Sequence, residues 1–166
     1  MTFPRFRKKN DLAFPLVRVD DRLVHGQVIV GWAQGLELRP VLLVSDRVRA
    51  DPILSKTLLQ LIPEENDGAV LTLAETAERA LAGAYKDARA MMIFEAPVDV
   101  LKLVRLGVPI KSVTIGGLHF REGREEFLPY VFLSEWDRTT LSELRGLGVK
   151  VFCQDLPTTK PVPYEE

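Results

Sequence analysis

Cysteine is almost absent from this sequence. The one cysteine, Cys153, excludes an internal disulfide, and its apolar segment VKVFC favours a small buried side chain over a reactive thiol. A lone cysteine also fits a reducing compartment such as the cytoplasm. The two histidines, His25 and His119, stand far apart, and no H-x-x-x-H or cysteine pair offers the close ligand spacing of a metal site. We therefore expect neither a metal nor another cofactor.

A charge imbalance and a long apolar run are also missing. The 22 basic and 23 acidic residues give a net charge of −1, which provides no electrostatic footprint for nucleic acid. No apolar run approaches the roughly 18 residues of a membrane span. The basic start of the chain is followed only by the short segment LAF, which does not match a signal peptide, so we expect a cytoplasmic protein. The phosphate-binding patterns G-x-G-x-x-G and G-x-x-x-x-G-K-[ST] do not occur, which argues against a nucleotide-binding domain.

Short apolar runs alternate with amphipathic segments along the body of the chain. Predicted strands lie at 16–19, 40–45, 69–73, 90–94, 111–115 and 149–153, and predicted helices lie between them. This order predicts an α/β fold with one domain, a mainly parallel central sheet and helices on both faces, with an antiparallel strand allowed at the edge. The domain is expected at 15–154, with a poorly ordered extension at 1–14 and an extended tail at 155–166 that has little to bury.

Local signals mark several element boundaries. Asp51 followed by Pro52 indicates the start of a helix, and Ser134 with Asp137 has the spacing of a capping box. Pro129 within the segment FLPYVFL predicts that residues 127–133 lie at a sheet edge or bulge, or are only partly strand, and the apolar side chains of an edge could support a homodimer. Two helices have predicted inward faces, formed by Ile53, Leu54, Thr57, Leu58 and Leu61 in one and by Val100, Leu101, Val104 and Leu106 in the other.

The stretch 16–35 joins a buried strand to a charged loop and then to a helix. A loop at the carboxyl end of such a strand is where open α/β sheets place ligand sites. The free N–H groups of the helix start at Gly26 and Gln27 attract an anion, and the planar fork of Arg22 suits phosphate oxygens. His25 would then stand beside a phosphate. From the residues alone, a solvated DDR turn with an ordinary loop histidine is the alternative interpretation.

The string VDDRLVHGQV resembles the active-site loop of the IIB components of the mannose/fructose/sorbose family of bacterial phosphotransferase systems. Weaker similarity extends from Leu16 to Cys153. In that family the histidine of this motif carries the phosphoryl group on Nδ1. The resemblance implies that His25 is phosphorylated and that Arg22 holds the phosphate. Asp20 and Asp21 are the acidic pair, and either could orient Arg22 or the imidazole, or simply close the loop.

A second candidate segment, TIGGLHFREG, follows the fifth predicted strand. Taken alone, Gly116 and Gly117 fit an ordinary tight turn as well as a phosphate-approach loop. The family has a similar glycine pair opposite the histidine loop, which implies that both are phosphate-loop residues. His119 receives no catalytic role from the resemblance; it could form a hydrogen bond near the phosphate or point into solvent. Ser45, where family members often have asparagine, could face the site or begin a turn into a helix.

The resemblance also implies an activity and partners. A IIB component accepts a phosphoryl group from a phosphohistidine of a IIA protein and passes it to a sugar held by membrane IIC and IID subunits. Such a protein is cytoplasmic and associates with the inner face of the membrane through those subunits. The alternative function is a phosphorylation-dependent regulatory protein that retains the IIB fold without a dedicated sugar channel.

Overall fold

The computed structural model describes residues 14–166, and the predicted extension lies outside them except for Phe14. That residue is buried, and its ring packs against Tyr85 with 5.7 Å between centroids, so the ordered domain begins at least one residue earlier than expected. The strands are β1 (Leu16–Asp20), β2 (Val41–Val44), β3 (Ala69–Leu71), β4 (Met91–Phe94), β5 (Ser112–Gly117), β6 (Glu125–Leu128), β7 (Val131–Leu133), β8 (Lys150–Cys153) and β9 (Val162–Pro163). The α-helices are α1 (Asp46–Ala50), α2 (Pro52–Leu59), α3 (Leu73–Leu81), α4 (Pro97–Arg105) and α5 (Glu135–Gly146), with a π-helix at Gln27–Gln34 and a 3₁₀ turn at Glu64–Asn66.

Within the described residues, seven strands form the main sheet in the order β3-β2-β4-β1-β5-β8-β9. The first six are parallel, and β9 pairs antiparallel with β8 at the edge. The predicted fold class, including its antiparallel edge strand, is therefore confirmed. Because β1 lies between β4 and β5, the loop after Asp20 leaves from the middle of the sheet, on the edge where parallel strands end.

Helices cover both faces of the sheet, and each face has its own apolar core. The π-helix, α1 and α2 pack over one face, where Val28, Trp32 and Met91 are buried together. The other face is covered by the remaining α-helices, with Phe94 and Leu144 in its core. Among the helices of residues 14–166, none combines the length and the apolar character that a membrane span requires.

The predicted helix starts are correct, but two predicted inward faces are partly wrong. Asp51 accepts hydrogen bonds from the N–H groups of Ile53 and Leu54, and Ser134 forms the capping box with Asp137. In contrast, four predicted inward residues are exposed, namely Ile53, Thr57, Leu61 and Leu106. Leu103 takes the inward position in α4. An apolar stripe about 100° wide does not by itself define how the helix is rotated about its own axis. The contacts with the sheet determine that rotation.

The segment after β8 is more firmly packed than its composition predicts. Tyr164 is buried, and its ring meets Phe127 with 5.4 Å between centroids, so the expectation that the tail has little to bury is wrong there. Residues 125–133 form an antiparallel hairpin with an irregular register, as Pro129 predicts. Val131 and Leu133 of that hairpin are buried in the core of this chain, which removes them from any surface that a second copy could use.

Candidate active site

The loop after β1 turns sharply around the Asp20 carboxylate. The main-chain oxygen of Asp20 accepts a hydrogen bond from the N–H of Leu23 at 2.8 Å, and its Oδ1 accepts from the N–H of Arg22 at 3.2 Å. Leu23 has a φ of 59°, a left-handed conformation that is costly for a leucine, and its side chain is buried beside Val24. The buried side chains hold the strained turn in place, and the turn directs His25 back toward Asp20.

His25 is held through one of its two ring nitrogens. Nε2 lies 3.0 Å from Oδ2 of Asp20, and 20% of the histidine side chain is exposed. An ionised carboxylate can only accept hydrogen bonds, so Nε2 must carry a proton and donate it. In the neutral ring the lone pair is then on Nδ1. Within residues 14–166, no protein group forms a hydrogen bond with Nδ1. The arrangement presents a nucleophilic nitrogen in the loop that follows β1, on a partly exposed side chain.

Arg22 binds the same Asp20 carboxylate from the solvent side. Its Nε and Nη2 atoms lie 3.2 and 3.3 Å from the two Asp20 oxygens, and Nη2 lies 3.4 Å from Oε1 of Gln27. The arginine side chain is 43% exposed, whereas the Asp20 side chain is fully buried. A guanidinium on a flexible, half-exposed stem can exchange a carboxylate for an incoming anion.

Asp20 remains ionised despite its burial. Desolvation by itself would raise the pKa of this carboxyl, but hydrogen bonds from His25 and Arg22 and the charge of Arg18 hold it well below the usual range for aspartate. The carboxylate therefore accepts hydrogen bonds throughout the physiological pH range.

Arg18, which the sequence analysis missed, lies beneath the site. Its side chain is fully buried, and Nη2 lies 3.2 Å from Oδ2 of Asp20. The two residues are two apart in a strand, so they project from the same sheet face, here the one covered by the π-helix. A charged residue inside the apolar strand sequence LVRVD was the available signal, since a buried charge needs a nearby counter-ion.

Gly116 and Gly117 belong to β5 and are not a loop after it, which corrects the expectation from the sequence. Gly117 pairs with Asp20 across the two strands. A Cβ atom on Gly116 would lie 1.8 Å from Cζ of Arg18, and one on Gly117 would lie 3.2 Å from Oδ1 of Asp20. The glycine pair therefore leaves room for the buried ion pair.

Asp21 performs a different task from its neighbour. Its buried carboxylate accepts a hydrogen bond from the main-chain N–H of His119 at 2.9 Å and lies 2.6 Å from Nδ1 of that ring. Arg124 lies 3.3 Å away and also reaches Asp137 at the start of α5. Of the two alternatives for the acidic pair, orientation of the imidazole fits Asp20 and loop closure fits Asp21. His119 is half-exposed and is held by Asp21.

The helix that follows His25 starts without a side-chain cap. Gly26 occupies the cap position and is exposed, and a Cβ atom there would meet nothing within 4 Å. The helix is wound with i to i+5 hydrogen bonds, such as Gly35 N–H to Val30 O at 3.2 Å. Its first N–H groups, including that of Gln27, are left for solvent or an anion.

Ser45 begins a helix, as one of its two interpretations proposed. Its hydroxyl accepts a hydrogen bond from the N–H of Val48 at 3.2 Å and so caps α1. β2 is separated from β1 by β4, so Ser45 lies two strands away from Asp20 along the sheet edge. Within residues 14–166, no three His, Cys, Asp or Glu side chains are grouped as metal ligands would be.

Comparison with known proteins identifies the family. The family model described as the sorbose subfamily IIB component of the phosphotransferase system (PTS) matches residues 14–166. The chain belongs to this family of IIB components. The family that the loop VDDRLVHGQV indicated is thereby confirmed, and the match extends beyond the expected range of 16–153.

Named relatives of this IIB component serve different sugars. The fructose-specific EIIB component of Bacillus subtilis strain 168 is 30% identical over 86% of this chain and 88% of its own length. The mannose-specific EIIAB component of Escherichia coli strain K12 is 33% identical over 86% of this chain but only 44% of its own length. The solved IIBSor domain of the sorbose permease from Klebsiella pneumoniae is 31% identical, with a TM-score of 0.84 over 90% of this chain and 91% of that one.

Proposed function

We propose that this IIB component is a phosphocarrier in which Nδ1 of His25 accepts a phosphoryl group from a phosphohistidine of a IIA protein. The Nδ1 lone pair attacks phosphorus, a new N–P bond forms, and the N–P bond of the donor breaks with its electron pair returning to the donor ring. The observation that carries this proposal is the 3.0 Å contact from Asp20 to Nε2, because it leaves the lone pair on Nδ1.

Neighbouring groups neutralise the phosphoryl oxygens in this proposal. Arg22 turns from Asp20 toward the phosphoryl group, which its half-exposed position allows. The uncapped N–H groups at Gly26 and Gln27 supply further donors at the positive end of the helix. Gly116 and Gly117 act indirectly, by admitting the ion pair below His25.

The second step passes the phosphoryl group to a sugar. A sugar hydroxyl oxygen attacks phosphorus, its proton is lost to a base or to solvent, and the N–P bond electrons return to the His25 ring. We propose that membrane IIC and IID subunits hold that sugar, so that this protein works at the inner face of the membrane through its partners. A IIA donor is favoured by the mannose-specific relative, whose name joins IIA and IIB in one chain.

Phosphoryl transfer from a phosphorylated IIA protein tests the first step, with mass spectrometry of the peptides to locate the label. We expect one acid-labile phosphoryl group on the peptide that contains His25. The His25→Gln variant should fold and lose the label, whereas the matched His119→Gln variant should keep it. A label on any other residue would refute the assignment of His25. Labelling of His25 without onward transfer to any sugar in membranes containing IIC and IID would favour the regulatory alternative.

A further inference from the structure

Two arginines bind the same carboxylate in the site, and their surroundings differ. Both Arg18 and Arg22 lie 3.2 Å from a carboxylate oxygen of Asp20. The Arg22 side chain is 43% exposed, and within residues 14–166 its other hydrogen bond is the 3.4 Å one to Gln27. Arg18 is fully buried, and both of its terminal nitrogens are hydrogen-bonded, although its Nε has no hydrogen-bond partner in the part of the chain that the structure describes. One of these guanidinium groups is free to move and the other is not.

Four partners immobilise Arg18. Beside the bond to Asp20, Nη1 donates to the main-chain oxygen of Gln154 at 3.0 Å, and Nη2 donates to that of Asp155 at 3.2 Å. Its guanidinium carbon lies 5.1 Å from the ring centre of Trp32, in cation–π geometry. The Nε1–H of Trp32 donates to the same Asp155 oxygen at 3.0 Å, so ring and guanidinium share an anchor.

The backbone opposite Arg18 is shaped to accept it. A Cβ atom on Gly116 would lie within 2.2 Å of three guanidinium atoms. Only a glycine at this point of β5 lets the guanidinium lie flat against the strand. The strand sequence, the glycine and the segment after β8 together build a fixed position for one cation under Asp20.

Charge balance separates the roles of the two arginines. Two guanidinium groups share the Asp20 carboxylate, and the charge of Asp155 also acts on Arg18, which leaves Arg22 as the cation available to an incoming phosphoryl group. If Arg22 turns toward phosphate, Asp20 stays buried and must keep a counter-ion, because an unpaired buried carboxylate is strongly disfavoured. Arg18 cannot leave, so it can supply that counter-ion throughout the reaction.

We infer that Arg18 is the permanent counter-ion of Asp20, a positioning residue that frees Arg22 to leave Asp20 and bind the phosphoryl group. The inference rests on the proposed function of His25. Without Arg18, Asp20 would keep Arg22 as its counter-ion. Arg22 would still be present, but it would not be available to bind the phosphoryl group. The effects of removing the two arginines should therefore overlap.

A double-mutant cycle on transfer from phosphorylated IIA tests this overlap. Arg18→Met should lower kcat on the order of 10-fold to 100-fold. Its KM for IIA should not change, since a fully buried side chain cannot touch a docking protein. Arg22→Ala should lower kcat similarly, and the double variant should lose little more than Arg22→Ala alone. Arg18→Lys, which keeps the positive charge but not the planar guanidinium, should have a higher kcat than Arg18→Met.

Controls separate positioning from stability. Leu144→Ala truncates a buried side chain of α5 and should destabilise the fold while leaving kcat and KM unchanged. Multiplicative losses in the cycle, or a raised KM for Arg18→Met, would overturn the inference. If Arg18→Met does not fold, the cycle is run with Arg18→Gln, which also removes the charge, and with the same criterion.

NMR of the unphosphorylated protein keeps this test separate from the proposed function. The Nε2 proton of His25, held on Asp20, should give a resonance in the wild type that shifts or is lost by exchange in Arg18→Met. An unchanged resonance would show that Arg18 does not hold Asp20. If IIA never labels His25 in the wild type, the proposed function fails, and this resonance still decides whether Arg18 fixes the carboxylate.

Discussion

Nδ1 of His119 lies 2.6 Å from the Asp21 carboxylate, although 98 residues separate them in the sequence. The main-chain N–H of His119 and the guanidinium of Arg124 bind the same carboxylate. The loop after β5 is thus tied to the loop after β1 by one buried acid, which stands next in sequence to the acid that holds His25.

Asp21→Asn should loosen the loop at 118–124. Removal of the charge leaves Arg124 with the Asp137 carboxylate and the main-chain oxygen of His119, and we expect a loss of about 1–3 kcal/mol in the free energy of unfolding. Urea unfolding and limited proteolysis after Arg121 and Arg124 measure the two effects. The matched variant His119→Gln, which retains the main-chain bond, should lose less. Equal stability of Asp21→Asn and the wild type would contradict the closing role of Asp21.

Arg22→Ala should slow phosphoryl transfer from IIA while the fold persists. The side chain is half-exposed, and Asp20 keeps Arg18 as a partner when Arg22 is removed, so the urea midpoint should change little. Rapid-quench transfer rates measure the loss, expected on the order of 10-fold or more. Arg47→Ala is the matched control, since Arg47 is an exposed arginine of α1 that pairs with Glu95. This variant should transfer at the wild-type rate. A wild-type rate for Arg22→Ala would end its assignment as the phosphate-holding residue.

Gly116→Ala should be among the most destabilising glycine-to-alanine substitutions in the chain. The new methyl group overlaps the buried Arg18 guanidinium at 1.8 Å, and neither β5 nor Arg18 can move away without breaking other contacts. We expect a loss of at least about 2 kcal/mol by chemical unfolding. Gly146→Ala, at the end of α5 with open space around the new atom, should stay within about 0.5 kcal/mol of the wild type. Equal effects of the two changes would show that the site relaxes around the methyl group.

The ionisation of Asp20 should couple the stability of the fold to pH. Its folded-state pKa lies below the unfolded value of about 3.9, so ionised Asp20 stabilises the folded state. This contribution is fully present above about pH 5 and is lost as pH falls through the unfolded pKa toward the folded one. Urea midpoints of the wild type and Asp20→Asn between pH 7 and pH 2.5 should therefore converge as the pH falls. A constant difference across that range would show that Asp20 does not titrate with folding.

The parts of the molecule that were predictable from sequence depend on neighbours in the chain. The cap at Asp51 and the capping box at Ser134 each form within a few residues, and the strand at residues 16–19 is marked by its own apolar run, so pattern and spacing suffice. The histidine loop was predictable because its motif is contiguous. The loop pattern did not separate the roles of Asp20 and Asp21, since Asp20 binds its near neighbours in the sequence whereas the partners of Asp21 lie 98 and 103 residues away.

The parts that escaped prediction depend on distant partners. Arg18 finds its carbonyl acceptors 136 and 137 residues away, which no local pattern reports. Gly116 and Gly117 continue β5 because β1 is beside them to pair with, and a glycine pair in isolation suggests a turn. Tyr164 is buried because the chain after β8 folds back to form β9. In each case tertiary contact overrides local preference.

The position of β1 in the interior of the sheet has a consequence for motion. Its amide protons are shielded by strands on both sides, and its side chains are buried on both faces. Amide hydrogen exchange in Val17 and Val19 should then require opening of the whole domain. The backbone that carries the reactive loop is thereby among the slowest parts of the protein to open, and the movement needed during a phosphorylation cycle is left to the side chains at its rim.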